Sequence, residues 1–187
     1  MTTDLTGKLL IAMPSIGDTR FSRSVILVCA HAEEYAMGLV LNKPIEDLSL
    51  ARLMSQLDVP MEEDRTADTF VLDGGPVGED RGFVLHSDDF LCEGATMDVS
   101  EGVCMTATRD ALHAVASDTP PNQAVMALGY SGWGPGQLEL ELAENAWIVG
   151  APDNAILFGD GHSEKWGRAL QIIGVDSGRL QAMSGRA

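Results

Sequence analysis

The sequence predicts an α+β fold, with a mixed, largely antiparallel sheet and several flanking helices, on three observations. Apolar runs at residues 25–30 and 38–42 are joined by a polar link short enough for a hairpin. Isolated amphipathic stretches stand among such runs, as where Leu50, Leu53, Met54 and Leu57 recur at i, i+3, i+4 and i+7. Strands and helices do not alternate in the βαβ rhythm of a parallel sheet. At 187 residues, 45% apolar and 21% charged, the chain suits a single compact domain over residues 1–187 with a sizeable core.

Residues 9–13 are wholly apolar and stop at Pro14, the pattern of a buried strand. Residues 25–30 are apolar on both faces and partly β-branched, which suits a central strand closed by His31. Residues 38–42 form the next run and halt at Lys43-Pro44. Ser49 is placed to cap the helix carried by the Leu50 stripe. Residues 58–68 show no apolar period and a cluster of charges, a mobile acidic loop. Residues 69–72 and 82–86 are two strands expected to lie together across the turn Asp73-Gly74-Gly75-Pro76-Val77.

A strand within 99–107 leads to a helix capped by Thr108, with Asp110 in its first turn and Ala111, Leu112, Val115 and Ala116 on one face. Residues 124–128 form another strand. Residues 138–142 alternate with period two, yet Pro135 suits a first helical position and carboxylates follow it, so a short helix is expected. Residues 147–149 and 155–158 are brief extended segments. A last helix is capped by Ser163, buries Trp166, Ala169, Leu170 and Ile173, and ends at Gly174. Residues 177–187 form a loosely held tail.

Lys and Arg total 12 against 28 Asp and Glu, a formal net charge of −16 that repels nucleic-acid backbones and anionic membranes. Direct nucleic-acid or membrane binding is therefore not expected. Cys29, Cys92 and Cys104 are widely spaced with no Cys-x-x-Cys pair, so they are expected as reduced thiols without a disulfide framework or zinc site. The apolar run behind Asp4 is too short for a signal peptide or membrane span, and a cytoplasmic location is expected. No cofactor or metal is expected.

The chain pivots on residues 128–138, where an apolar run breaks into four glycines, Tyr130, Trp133 and Pro135. Such a stretch serves either as a packing turn or as a ligand wall. Gly129-Tyr130-Ser131-Gly132-Trp133 misses the Gly-x-Ser-x-Gly nucleophile elbow at its last position, and neither a dinucleotide nor a P-loop glycine pattern is present. His31 and His86 each end a strand, and with Asn42 they suit either general acid/base work or the pinning of loops through backbone carbonyls. Cys29 and His31 share a strand face on simple alternation, but two ligands do not make a metal site. Ser15 and Arg23 lie in a polar bend, where an arginine in so acidic a chain can clamp a carboxylate.

Several blocks together resemble one family. Ala12-Met13-Pro14-Ser15, Phe21 with Ser24-Val25, His31, Gly38-Leu39-Val40-Leu41-Asn42-Lys43-Pro44, Gly74-Gly75-Pro76-Val77, residues 82–87 and residues 129–139 look, in this order, like the signature of the YqgE/AlgH family of bacterial proteins. The resemblance runs from about Leu9 to Gly174 and implies a compact α/β fold with no settled activity. The AlgH name implies transcriptional regulation of alginate production. An acidic chain without a helix-turn-helix or basic stripe suits indirect regulation, through a protein or a small molecule. The expected function is thus an uncharacterised cytosolic binding or regulatory module, with a surface made by Ser15, Arg23, Asn42, Gly74, Gly75, Tyr130 and Trp133 beside His31 and His86. The alternative is an enzyme acting on a small molecule in a cleft, with His31 or His86 as general acid/base.

Overall fold

The computed structural model describes residues 4–61, 69–176, 178 and 180. The expected acidic loop at 58–68 and tail at 177–187 lie largely outside these residues. In chain order the elements are β1 (Leu9–Ala12), a 3-10 turn (Thr19–Phe21), β2 (Val25–Ala32), β3 (Tyr35–Val40), β4 (Pro44–Ser49), α1 (Leu50–Gln56), β5 (Phe70–Asp73) and β6 (Val77–Ser87). They continue with β7 (Thr96–Ser100), β8 (Val103–Thr106), α2 (Arg109–Ala116), β9 (Ala124–Trp133), α3 (Gln137–Ala143), β10 (Trp147–Gly150), α4 (Asn154–Phe158) and α5 (Lys165–Ile172). The described residues divide into two compact units, one of residues 1–43 and 131–187, the other of residues 44–130.

In the first unit the strand order is β10-β1-β2-β3 and then the end of β9, every pair antiparallel. All four residues of β1 and residues 25–29 of β2 are at most 1% exposed. That is the burial expected of strands apolar on both faces, at about 1.5–3 kcal/mol per large side chain. Leu10, Ile26, Val28, Trp133, Leu138 and Trp147 meet in its core. The helix expected over 138–142 is present as α3, because burial of Leu138 and the turn at Gly136, with φ of 69°, override the period-two pattern. Two expectations are corrected. Residues 154–158 are helical, since the Asp153 side chain accepts the Ile156 N–H and caps a turn there. The last helix starts at Lys165 behind Glu164 rather than at a Ser163 cap.

In the second unit β9 lies between β5 and β6, pairing parallel with the first and antiparallel with the second, while β4 flanks β5 and β8 and β7 extend from β6. The sheet pairing is mixed and largely antiparallel, as expected for this α+β class. The expected pairing of residues 69–72 with 82–86 is overturned, because residues 124–130 of β9 fill the space between them. The core gathers Leu50, Leu53, Met54, Val71, Leu112 and Met126. The β9 strand also corrects the pivot: extended structure runs on through Gly129 to Trp133 before the chain turns. Gly129 has φ of 71°, and a Cβ there would collide with the Gly75 carbonyl oxygen, while a Cβ at Gly74 would collide with that of Gly129. The glycines serve close backbone approach.

Candidate functional site

Ser15, Arg23, His31, Asn42 and Trp133 belong to the first unit, and Gly74, Gly75, His86 and Tyr130 to the second. His31 lies two residues beyond the buried run of β2, and its side chain is only 5% exposed. Its Nδ1 accepts the Leu5 backbone N–H at 3.1 Å, which makes Nε2 the protonated nitrogen, and Nε2 donates to Glu139 Oε1 at 2.9 Å. His86 is fully buried. Its Nδ1 lies 2.9 Å from the Ser87 carbonyl, which can only accept, so Nε2 accepts from Thr106 Oγ1 at 2.8 Å. Thr106 in turn meets Thr96 Oγ1 at 2.8 Å, and that hydroxyl accepts the Cys92 N–H. Both ring nitrogens of both histidines are engaged within the protein.

The remaining residues are tied in similar ways. Asn42 accepts the Val25 N–H at 2.9 Å and donates to the Arg23 carbonyl at 2.8 Å. It thereby holds a bend in which Arg23 has φ of 54° and lays its guanidinium 5.4 Å from the Trp166 ring centre. Ser15 Oγ donates to the Asn145 carbonyl at 3.3 Å. Asp73 Oδ1 accepts the Gly75 N–H at 3.1 Å, closing the Gly74-Gly75 turn, and Tyr130 packs edge-on against Phe83.

Trp133 does not face outward as expected: it is 5% exposed. Its indole N–H and that of Trp147 both donate to Glu141 Oε2, at 2.9 and 2.7 Å, and the two rings pack edge to face. A carboxylate on α3 thus clamps two core tryptophans. Cys29 is 1% exposed, and burial pushes its thiol up to about 12, which removes the reactive thiolate. A bulge between Val28 and Ala30 also breaks the alternation that aligned Cys29 with His31. Among the described residues no group of three or more His, Cys, Asp or Glu is arranged to hold a metal ion.

The second unit contains a pocket of about 400 Å³ that involves none of the expected residues. Its apolar wall is Leu53, Leu57, Val84, Leu112, Met126 and Leu128, from α1, its C-cap Leu57, β6, α2 and β9. Asp80, Thr108 and Arg109 supply its polar side chains, all exposed. Arg109 is held in place by Nη2 donating to the Leu57 carbonyl at 2.8 Å. Thr108 is the N-cap of α2 by its extended backbone, but its side chain makes no capping hydrogen bond.

A buried cation lies in the first unit. Lys165 is 2% exposed and donates from Nζ to the Leu41 carbonyl at 2.9 Å, and burial pushes its ammonium down to about 8. Burial and the Lys165 charge hold the His162 imidazolium below the ordinary histidine value.

The sequence profile of the AlgH-like family matches residues 9–178. The chain belongs to the AlgH-like family. Similar proteins include a UPF0301 protein of Caulobacter vibrioides, 49% identical over 98% of this chain and 94% of that one. Another UPF0301 protein, from Ruegeria pomeroyi, is 50% identical over 98% of this chain and all of its own. The solution structure of the AlgH protein from Pseudomonas aeruginosa is similar with a TM-score of 0.79 at 38% identity, over 100% of this chain and 98% of that one. A Corynebacterium diphtheriae crystal structure shares the fold at 18% identity, with a TM-score of 0.72 over 91% of this chain and 87% of that one. Neither Asp80 nor Arg109 of this AlgH-like chain stands out in a single sequence. The available signal is one of only 12 basic residues directly after a helix cap in a strongly acidic chain.

Proposed function

We propose that this AlgH-like protein is a cytosolic binding module that acts indirectly in regulation, and that its ligand site is the pocket of the second unit. The pocket itself carries this reading. Its volume of about 400 Å³ lies within the range of small-molecule sites, about 300–1,000 Å³. Its apolar wall with a few polar groups is also the usual composition of such sites. The engagement of both nitrogens of His31 and His86 supports binding over the enzyme alternative, because a general base needs a nitrogen within reach of a substrate proton. The formal net charge of −16 supports a protein or small-molecule effector rather than direct contact with nucleic acid.

The test is an amide chemical-shift titration with 2-phenylethanol, a neutral apolar probe. Shifts should concentrate on Leu53, Leu57, Leu112 and Met126, and Leu57→Trp, which adds bulk at the half-buried wall, should abolish them. Shifts scattered over both units, or unaltered in the variant, would remove the pocket as the site.

A further inference from the structure

Asp80 and Arg109 line the same pocket, yet they do not neutralise each other. Among the described residues the ion pairs are Arg20–Asp18, His31–Asp4, His31–Glu139 and Arg168–Asp153, and neither Asp80 nor Arg109 takes part in any. An exposed guanidinium and an exposed carboxylate that line one pocket without pairing each keep their charge for a group of opposite sign. The Arg109 hydrogen bond to the Leu57 carbonyl engages one N–H of Nη2 and leaves the remaining guanidinium N–H groups able to donate to a carboxylate. Beside it, the eight-residue helix α2 begins at Thr108 without a side-chain cap hydrogen bond, so the Thr108 hydroxyl is able to donate.

One rim residue therefore offers an anion to a cationic group, and another, with the start of a helix, offers donors to a carboxylate. The rest of the lining is predominantly apolar. The chemistry that fits an anion, a cation and an apolar cavity together is a zwitterion with an apolar side chain. Building on the pocket as the ligand site, we infer that it recognises an apolar α-amino acid. Its carboxylate meets Arg109 and the start of α2, its ammonium meets Asp80, and its side chain lies against Leu53, Leu112 and Met126. A purely anionic amphiphile would leave Asp80 as a repulsive neighbour, and a purely cationic one would leave Arg109 so.

Calorimetric and amide-shift titrations with L-phenylalanine, 3-phenylpropanoate, phenethylamine and 2-phenylethanol separate the contributions, because the four share a phenyl body and differ in head-group charge. L-phenylalanine should bind at least tenfold more tightly than each of the other three. Arg109→Gln should weaken L-phenylalanine and 3-phenylpropanoate about tenfold and spare phenethylamine, while Asp80→Asn should weaken L-phenylalanine and phenethylamine about tenfold and spare 3-phenylpropanoate. Both side chains are exposed, and far-ultraviolet circular dichroism checks that the variants fold. Equal binding of all four probes, or equal effects of both variants on all four, overturns the amino-acid inference while leaving the pocket as a binding site. If none of the four shifts the lining residues, both readings fall.

Discussion

Lys165→Met tests how the first unit handles a buried charge. An ammonium that the fold holds at about 8 and the unfolded chain at the ordinary 10.5 is protonated in both states below pH 8, and there the fold carries the whole penalty of burying it. As pH rises from 8 through 10.5 the folded amine loses its proton first, so native stability rises across that window. The gap between the two values corresponds to on the order of 3 kcal/mol, about 2.5 kcal/mol of it realised by pH 10.

Other groups pull the opposite way. The Cys29 thiol, pushed up to about 12 by burial, and Cys104, pushed up to about 11 by burial and by Asp98, make the fold less stable as the unfolded chain ionises above pH 9. The difference between wild type and Lys165→Met cancels these, because methionine keeps the apolar stem and removes only the charge and its bond to Leu41. Starting at pH 7.5 keeps His162 uncharged throughout, since its folded value lies below the ordinary 6.5. Urea unfolding followed by tryptophan fluorescence should show wild type gaining about 2–2.5 kcal/mol on the variant between pH 7.5 and pH 10. A difference that stays flat within about 0.5 kcal/mol would refute the assignment of a desolvated ammonium.

Two further outcomes are expected. Glu141→Ala strips the shared acceptor from two core indoles and should cost about 2–4 kcal/mol in urea unfolding, while Glu141→Gln, which keeps one acceptor but opposes its amide N–H to that of Gln137, should cost about half as much. If both variants stay within about 0.5 kcal/mol of wild type, the clamp is not a stabilising element. Iodoacetamide at pH 8 on the native protein should modify Cys92, the half-buried thiol, and spare Cys29 and Cys104, which are at most 2% exposed. A second adduct on Cys29 by mass spectrometry would contradict its burial.

Legibility followed the range of the forces involved. The two-sided apolar runs of β1 and β2 announce central strands because burial on both faces leaves no room for alternation. The β4 strand was hidden by Pro44 and the charges behind it, which resemble a stop signal. Proline is tolerated there because it begins a strand that, among the described residues, pairs with β5 alone. The α4 helix carries an apolar run of four residues, too short for periodicity to separate helix from strand. The β9 strand crosses two glycines that look like a turn, and it continues because the approach of Gly75 to Gly129 demands an absent side chain rather than a change of direction.

The sequence by itself determined the α+β class, most strand and helix positions, the acidic character and the family, because propensity, periodicity and signature blocks are properties of neighbouring residues. Only the tertiary structure decided what the singled-out side chains do. His31 meets Glu139 across 108 positions, and His86 meets Thr106 across 20. Asp80 and Arg109 reach one pocket from β6 and α2. Such partnerships depend on strand order and register, which are set by the burial of the whole core, and no local pattern carries that information.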